Sequence, residues 1–256
     1  MFLLSLPVWV SMVIVLAVAS LFSVGLYYVF HLIWAGDTTE NTNRTASMVA
    51  TRAGIVYSFV IGMMFAGVHS EYNEMVMELE MEASALTRLH GALQRHRDHE
   101  KFNGTKEQLV KYIRFVVEDQ WPALREMRGV SGTLKMTKRR VLDQVWHDLD
   151  AVEYKPGDLN LKELLDSAED HSIQRLFDIK GDVLPIFWYI AIIGYFFTLI
   201  PMCIAPPTFR RCLLLALYSN MVALVLLGTF ILTHPYSPAA GINPQVFQWL
   251  LEINNP

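Results

Sequence analysis

Glu71, Glu74, Glu78 and Glu82 follow one another at steps of three, four and four. On a helix this spacing places four carboxylates on one face, with Glu80 well off the line. The chemistry open to such a row is electrostatic. Repeated around the axis of an assembly, the row makes a ring of like charge that concentrates cations at a pore mouth. The plainer reading is a solvated face of a helix whose other side packs on Leu79 and Leu86. Immediately upstream, Ser58, Gly62, Phe65 and His69 recur at helical spacing and could line a narrow passage leading to that mouth. Gly62 and Ala66 also have the small-x-x-x-small spacing that allows close helix packing, which is the ordinary use of such positions.

Few other residues offer chemistry. His31, Arg52 and Asn220 fall within or beside long apolar stretches, where polar groups line cavities or bond across helices. His90, His96 and His99 lie close to Glu100, but their spacing matches no established metal site, so no metal is expected. There is no glycine-rich phosphate loop, no G-x-S-x-G, no H-E-x-x-H and no cysteine pair at zinc spacing. An enzyme is not expected, and neither is a cofactor.

The elements that must position these residues are membrane helices. Of 256 residues, 53% are hydrophobic and only 18% charged, against roughly 25% charged in soluble domains. Val8 to Trp34, Leu184 to Ile204 and Cys212 to Thr233 contain almost no charge, and each matches the roughly 20 residues that cross a bilayer core. Gly54 to Val68 is shorter and reaches full length by starting near Ala46, which leaves Arg52 to snorkel at one interface. AVAS at Ala17–Ser20 resembles a cleavage site, yet no basic region precedes it and the apolar run continues past it. It reads as part of a retained first span. The fold class expected is all-α: four transmembrane helices with a helical extramembrane domain inserted between helices 2 and 3. The divisions are residues 1–70 for helices 1 and 2, 71–181 for the insert, 182–234 for helices 3 and 4, and 235–256 for an interfacial tail.

Of 21 Lys and Arg, 17 fall between Arg88 and Lys180; the others are Arg44, Arg52, Arg210 and Arg211, in the two short loops. The positive-inside bias weighs short loops above large domains, so the insert and both termini are expected outside the cytoplasm. No basic patch is dense enough for nucleic acid. Within the insert, Met75, Leu79, Ala83, Leu86, Leu89 and Leu93 mark one apolar helical face, and Val141, Leu142, Val145, Trp146 and Leu149 another. Thr105 with Gln108 suggests a capping box. Trp121-Pro122 suggests a bend or stop, and Pro156-Gly157-Asp158 a turn into a last helix. In the tail, Asn243-Pro244 precedes Val246, Phe247, Leu250 and Leu251, a pattern suited to a short helix on the membrane surface.

FVIGMMFAGVHSEYNE after Tyr57, EASALTRLHGAL, Gln120-Trp121-Pro122, LPIFWYIAIIGYFF from Leu184 and HPYSPAAGINPQVFQWLL occur in this order. Together they resemble the bacterial membrane family carrying a bestrophin-like domain, largely of unknown function. Where that family has an arginine pair before the third span this chain has Arg175, and the Pro-Phe of its tail motif is Pro235-Tyr236. The resemblance implies kinship with bestrophins, oligomeric chloride channels whose second span lines the pore. Gly54 to Val68 lacks their proline-containing neck, so a pore is implied but not its ion. The expected function is thus a homo-oligomeric ion channel in the lipid bilayer of a bacterial inner membrane, with helix 2 on the axis. The alternative is a non-conducting structural or accessory protein that binds a protein partner through its helical domain.

Overall fold

The structure, a computed structural model, describes residues 4, 6–33, 39–96, 99–126, 132–150, 160–177 and 185–254. Among them the secondary structure is helical, with no strand. The chain forms two compact units: residues 1–72 with 181–234, and residues 73–180 with 235–256.

The first unit holds the spans. Helix α1 (Val8–Ile33) begins just after Pro7, whose carbonyl accepts from the Val10 N–H at 2.9 Å. Helix α2 (Glu40–Arg95) runs 56 residues without a break. The Thr39 hydroxyl accepts from the Thr42 N–H at 3.4 Å, a side-chain cap on its first turn. Helices α7 (Pro185–Met202) and α8 (Phe209–Leu232) complete the set. All four are long and apolar enough to cross a membrane.

Their side chains are arranged as lipid requires. Leu21, Phe59, Phe197 and Leu214 are exposed, while Ser11, Ser23, Thr198 and Thr229 are fully buried. Hydrocarbon gives apolar groups no reason to leave it, so polar groups and close packing hold the helices together. Accordingly, Ser20 Oγ donates to Asn220 Oδ1 at 3.0 Å, joining α1 to α8. Tyr57 joins α2 to α7: its hydroxyl donates to the Ala191 carbonyl at 2.8 Å, and its ring lies against Gly194, where any Cβ would collide with it. Tyr57, Ile61, Met64 and Ala191 form the adjoining apolar cluster.

The second unit contains the rest of α2, from Asn73, then a 3-10 turn (His99–Phe102), α3 (Asn103–Phe115), a π-helical segment (Val116–Gln120) and α4 (Trp121–Arg125). Helices α5 (Gly132–Asp150), α6 (Leu161–Phe177) and α9 (Gln245–Asn254) follow. Met75, Leu79, Ala83, Leu86, Leu89 and Leu93 are all buried, as are Leu142, Val145 and Leu149, so both apolar faces read from the sequence are core. Asn160 starts α6, its Oδ1 accepting from the Glu163 N–H at 3.3 Å.

Three local expectations need correction. Thr105 is no cap: it lies inside α3 and donates its hydroxyl proton to Asp148 Oδ2 at 3.1 Å, on α5. Trp121-Pro122 does not stop the helical run: the π-helical segment passes directly into α4, with the proline in its first turn. In the tail helix, Phe247 is 0% and Leu250 2% exposed, packed within the second unit and not set outward. The turn at Pro156-Gly157-Asp158 and Gly181 lie outside the described residues, as does the side chain of His99.

Candidate functional site

The row of glutamates divides along its length. Glu71 and Glu74 are exposed, Glu78 is half-buried and Glu82 is fully buried. The reason is the register of α2. Glu82 sits among Met75, Leu79, Leu86 and Leu89 at three- and four-residue steps, so packing that face buries it with them.

Burial of Glu82 is possible because α6 supplies its counter-charge. Leu161, Leu165, Ala168, Ser172 and Arg175 share one face of α6, and each is buried. Arg175 Nε donates to Glu82 Oε2 at 2.7 Å and Nη2 to Oε1 at 3.3 Å; Nη2 also donates to Gln120 Oε1 at 3.1 Å. The Tyr112 hydroxyl donates to Glu82 Oε1 at 2.8 Å and lies 3.0 Å from Ser172 Oγ. One turn away, His171 Nδ1 and Glu78 Oε2 are 2.5 Å apart, so α2 and α6 are joined by two successive rungs.

The tail closes the other side of this cluster. Tyr236 donates its hydroxyl proton to the Arg175 carbonyl at 3.3 Å and sets its ring edge-on to Trp121, centroids 5.3 Å apart. The Arg175 guanidinium lies 5.8 Å from the Phe247 ring centroid, a cation–π approach. Burial works against the charge on Arg175, but the Glu82 carboxylate outweighs it, and the guanidinium is held more firmly protonated than usual. Tyr112 is pushed well above the ordinary tyrosine range by burial and then by the Glu82 charge. Lys138, on α5, is 8% exposed and feels Glu82, Arg175 and Glu169; burial lowers its pKa. Four buried polar atoms here, Gln120 Nε2, Trp121 Nε1, Arg175 Nη1 and Ser237 Oγ, have no partner among the described residues.

Chemically this cluster is a clamp. A paired buried charge is tolerated only while both partners and their hydrogen bonds are present. It therefore ties together α2, α3, the π-helical segment, α6 and the tail. Sequence reasoning passed over Arg175 as the reduced form of a family feature and took Glu82 for part of a water-facing row. The available signal was that each interrupts an apolar face at the spacing of its neighbours.

The upstream candidates lie in the first unit. Ser58, Gly62, Phe65 and His69 are all exposed, on a face of α2 about a quarter turn from the buried residues Tyr57, Ile61, Met64 and Val68. Phe65 and His69 stack with rings 5° from parallel and centroids 6.1 Å apart. Phe65 also leans on α8: a Cβ at Gly228 would stand 3.3 Å from its ring. Arg52 is exposed and Asn220 makes the interhelical bond described above. His90 is half-buried on α2, and His96 meets Phe102 edge-on at 5.0 Å.

No curated protein and no solved structure matches the chain. The family model of the Bestrophin-like domain does match, over residues 17–247, taking in most of the first span, the other three and the cluster from Glu82 to Tyr236. By that match, the chain belongs to the bestrophin-like family.

Proposed function

We propose that several copies of the chain assemble into an ion-conducting pore, with α2 on the axis. The observation that carries this reading is the exposed face of α2. Ser58, Gly62 and His69 are exposed within the protomer, while Tyr57, Ile61 and Met64 on the neighbouring face are covered by α7 and α8. A serine and a histidine on an exposed face suit a water-lined path better than hydrocarbon. Phe65, held partly against α8, narrows that path. Glu71 and Glu74 continue the helix as exposed carboxylates, and their charge favours cations at the mouth. Glu78 and Glu82, engaged with His171 and Arg175, have no part in it.

The test is ion flux from liposomes containing the purified protein. The proposal expects flux above that of protein-free liposomes, and a lower preference for cations in Glu71→Gln and Glu74→Gln. Absence of flux under every gradient would overturn it in favour of a non-conducting protein that binds a partner through its helical domain.

A further inference from the structure

At the end of the first unit that carries the short loops, α2, α7 and α8 part to leave a cavity of about 340 Å³. Its walls are of two kinds. Ala46, Ala50, Leu214 and Leu215 make one side apolar, while Asn43 and Arg211 supply amide and charge. Asn43 Oδ1 is buried and has no hydrogen-bond partner among the described residues. Arg211 Nη1 donates to the Pro206 carbonyl at 3.0 Å and the guanidinium also meets the Tyr27 hydroxyl, which fixes it at the rim; with five N–H groups it can serve a further acceptor. The Tyr27 and Tyr218 hydroxyls are already committed, to the Ala205 carbonyl at 2.9 Å and to Thr198 Oγ1 at 2.7 Å. Arg44, Arg52 and Arg210 are exposed on the same helices.

We infer that this cavity binds one anionic phospholipid, and that its headgroup carries a hydrogen-bond donor beyond the phosphate. A guanidinium fork matches phosphate oxygens. The buried Asn43 oxygen requires a donor, which a glycerol or similar hydroxyl next to the phosphate supplies and a choline headgroup lacks. Leu214 of the apolar wall is itself exposed, and Met221, two turns further along the same stripe of α8, is exposed too, so acyl chains can leave the cavity along α8. A soluble phosphate ester would satisfy Arg211 and Asn43 but leave that wall uncovered, which argues for the lipid. The site is independent of whether the protein conducts.

Native mass spectrometry of the purified protein with phosphatidylglycerol, phosphatidic acid and phosphatidylcholine of equal chain length tests this, with glycerol phosphate and inorganic phosphate as soluble competitors. Phosphatidylglycerol should be retained about fivefold or more over phosphatidylcholine. Arg211→Gln should remove that preference. Asn43→Leu should lower phosphatidylglycerol to the level of phosphatidic acid while leaving phosphatidic acid unchanged. Leu214→Trp, which fills the apolar side without touching a charge, should displace the lipid and serves where a polar variant fails to fold. Equal retention of the three lipids by the wild type, or an unchanged preference in Arg211→Gln and Leu214→Trp, would overturn the site. Displacement by glycerol phosphate at concentrations matching the lipid would assign it to a soluble ligand and overturn the lipid.

Discussion

Arg175 Nε lies 2.7 Å from Glu82 Oε2, and neither side chain has any contact with solvent. The pair joins the long helix α2 to α6, and Gln120, Tyr112 and Tyr236 fasten α3 and the tail to the same point. Removing one partner strands a charge in the protein interior. Glu82→Ala or Arg175→Ala should therefore destabilise the second unit by about 3–5 kcal/mol, whereas a double change to Leu and Met should restore much of the loss. Denaturant unfolding of the single and double variants measures both.

The same cluster sets an alkaline limit. In the folded protein Tyr112 keeps its proton far above the ordinary tyrosine range, because burial and then Glu82 oppose a phenolate. The unfolded chain releases that proton near pH 10. Above this pH the unfolded state binds fewer protons than the folded state, so stability falls as pH rises. Unfolding measured from pH 9 to 11 should show the decline, and Tyr112→Phe should flatten it.

Tyr57 and Gly194 make a second, smaller test inside the membrane. The ring occupies the space that any side chain at position 194 would need. Gly194→Ala should cost about 1–3 kcal/mol through overpacking. In a Tyr57→Leu background the same change should cost little, a coupling that a double-mutant cycle of thermal unfolding in detergent reads directly.

The tail provides a third. Phe247 is completely buried under the Arg175 guanidinium. Phe247→Ala should cost about 3–5 kcal/mol, and limited proteolysis should then cut the tail before the remainder of the second unit. A tail that rested on the bilayer would leave unfolding of the helical unit unchanged.

The spans were legible because uncharged runs of membrane length leave few other structures open. The core faces were legible because Met75, Leu79, Leu86 and Leu89 repeat at helical spacing. The clamp was not, because its members come from five separated segments and periodicity is a local signal. Glu82 and Arg175 each look like a charge on a charged helix until both faces are known to be buried. Thr105 misled for a related reason: a threonine near a helix start reads as a cap, and its real partner, Asp148, lies 43 residues away. The tail carries the pattern of a membrane-surface helix, and only the packing of Phe247 and Leu250 assigns that face to protein. The spacing of Ser58, Gly62 and His69 was visible in the sequence, but their exposure was not, because it depends on where α7 and α8 pack.

The central claim, that this face of α2 meets water in the assembled protein, is tested most directly by cysteine accessibility during flux. With Cys203 and Cys212 replaced, a cysteine at Ser58 or Gly62 should react with a water-soluble thiol reagent, and reaction should reduce the flux. Cysteines at Phe59 and Met63, exposed on the neighbouring face, should neither react nor alter it. Reaction at Phe59 and Met63 with none at Ser58 and Gly62, or flux indifferent to modification at Ser58, would contradict the account.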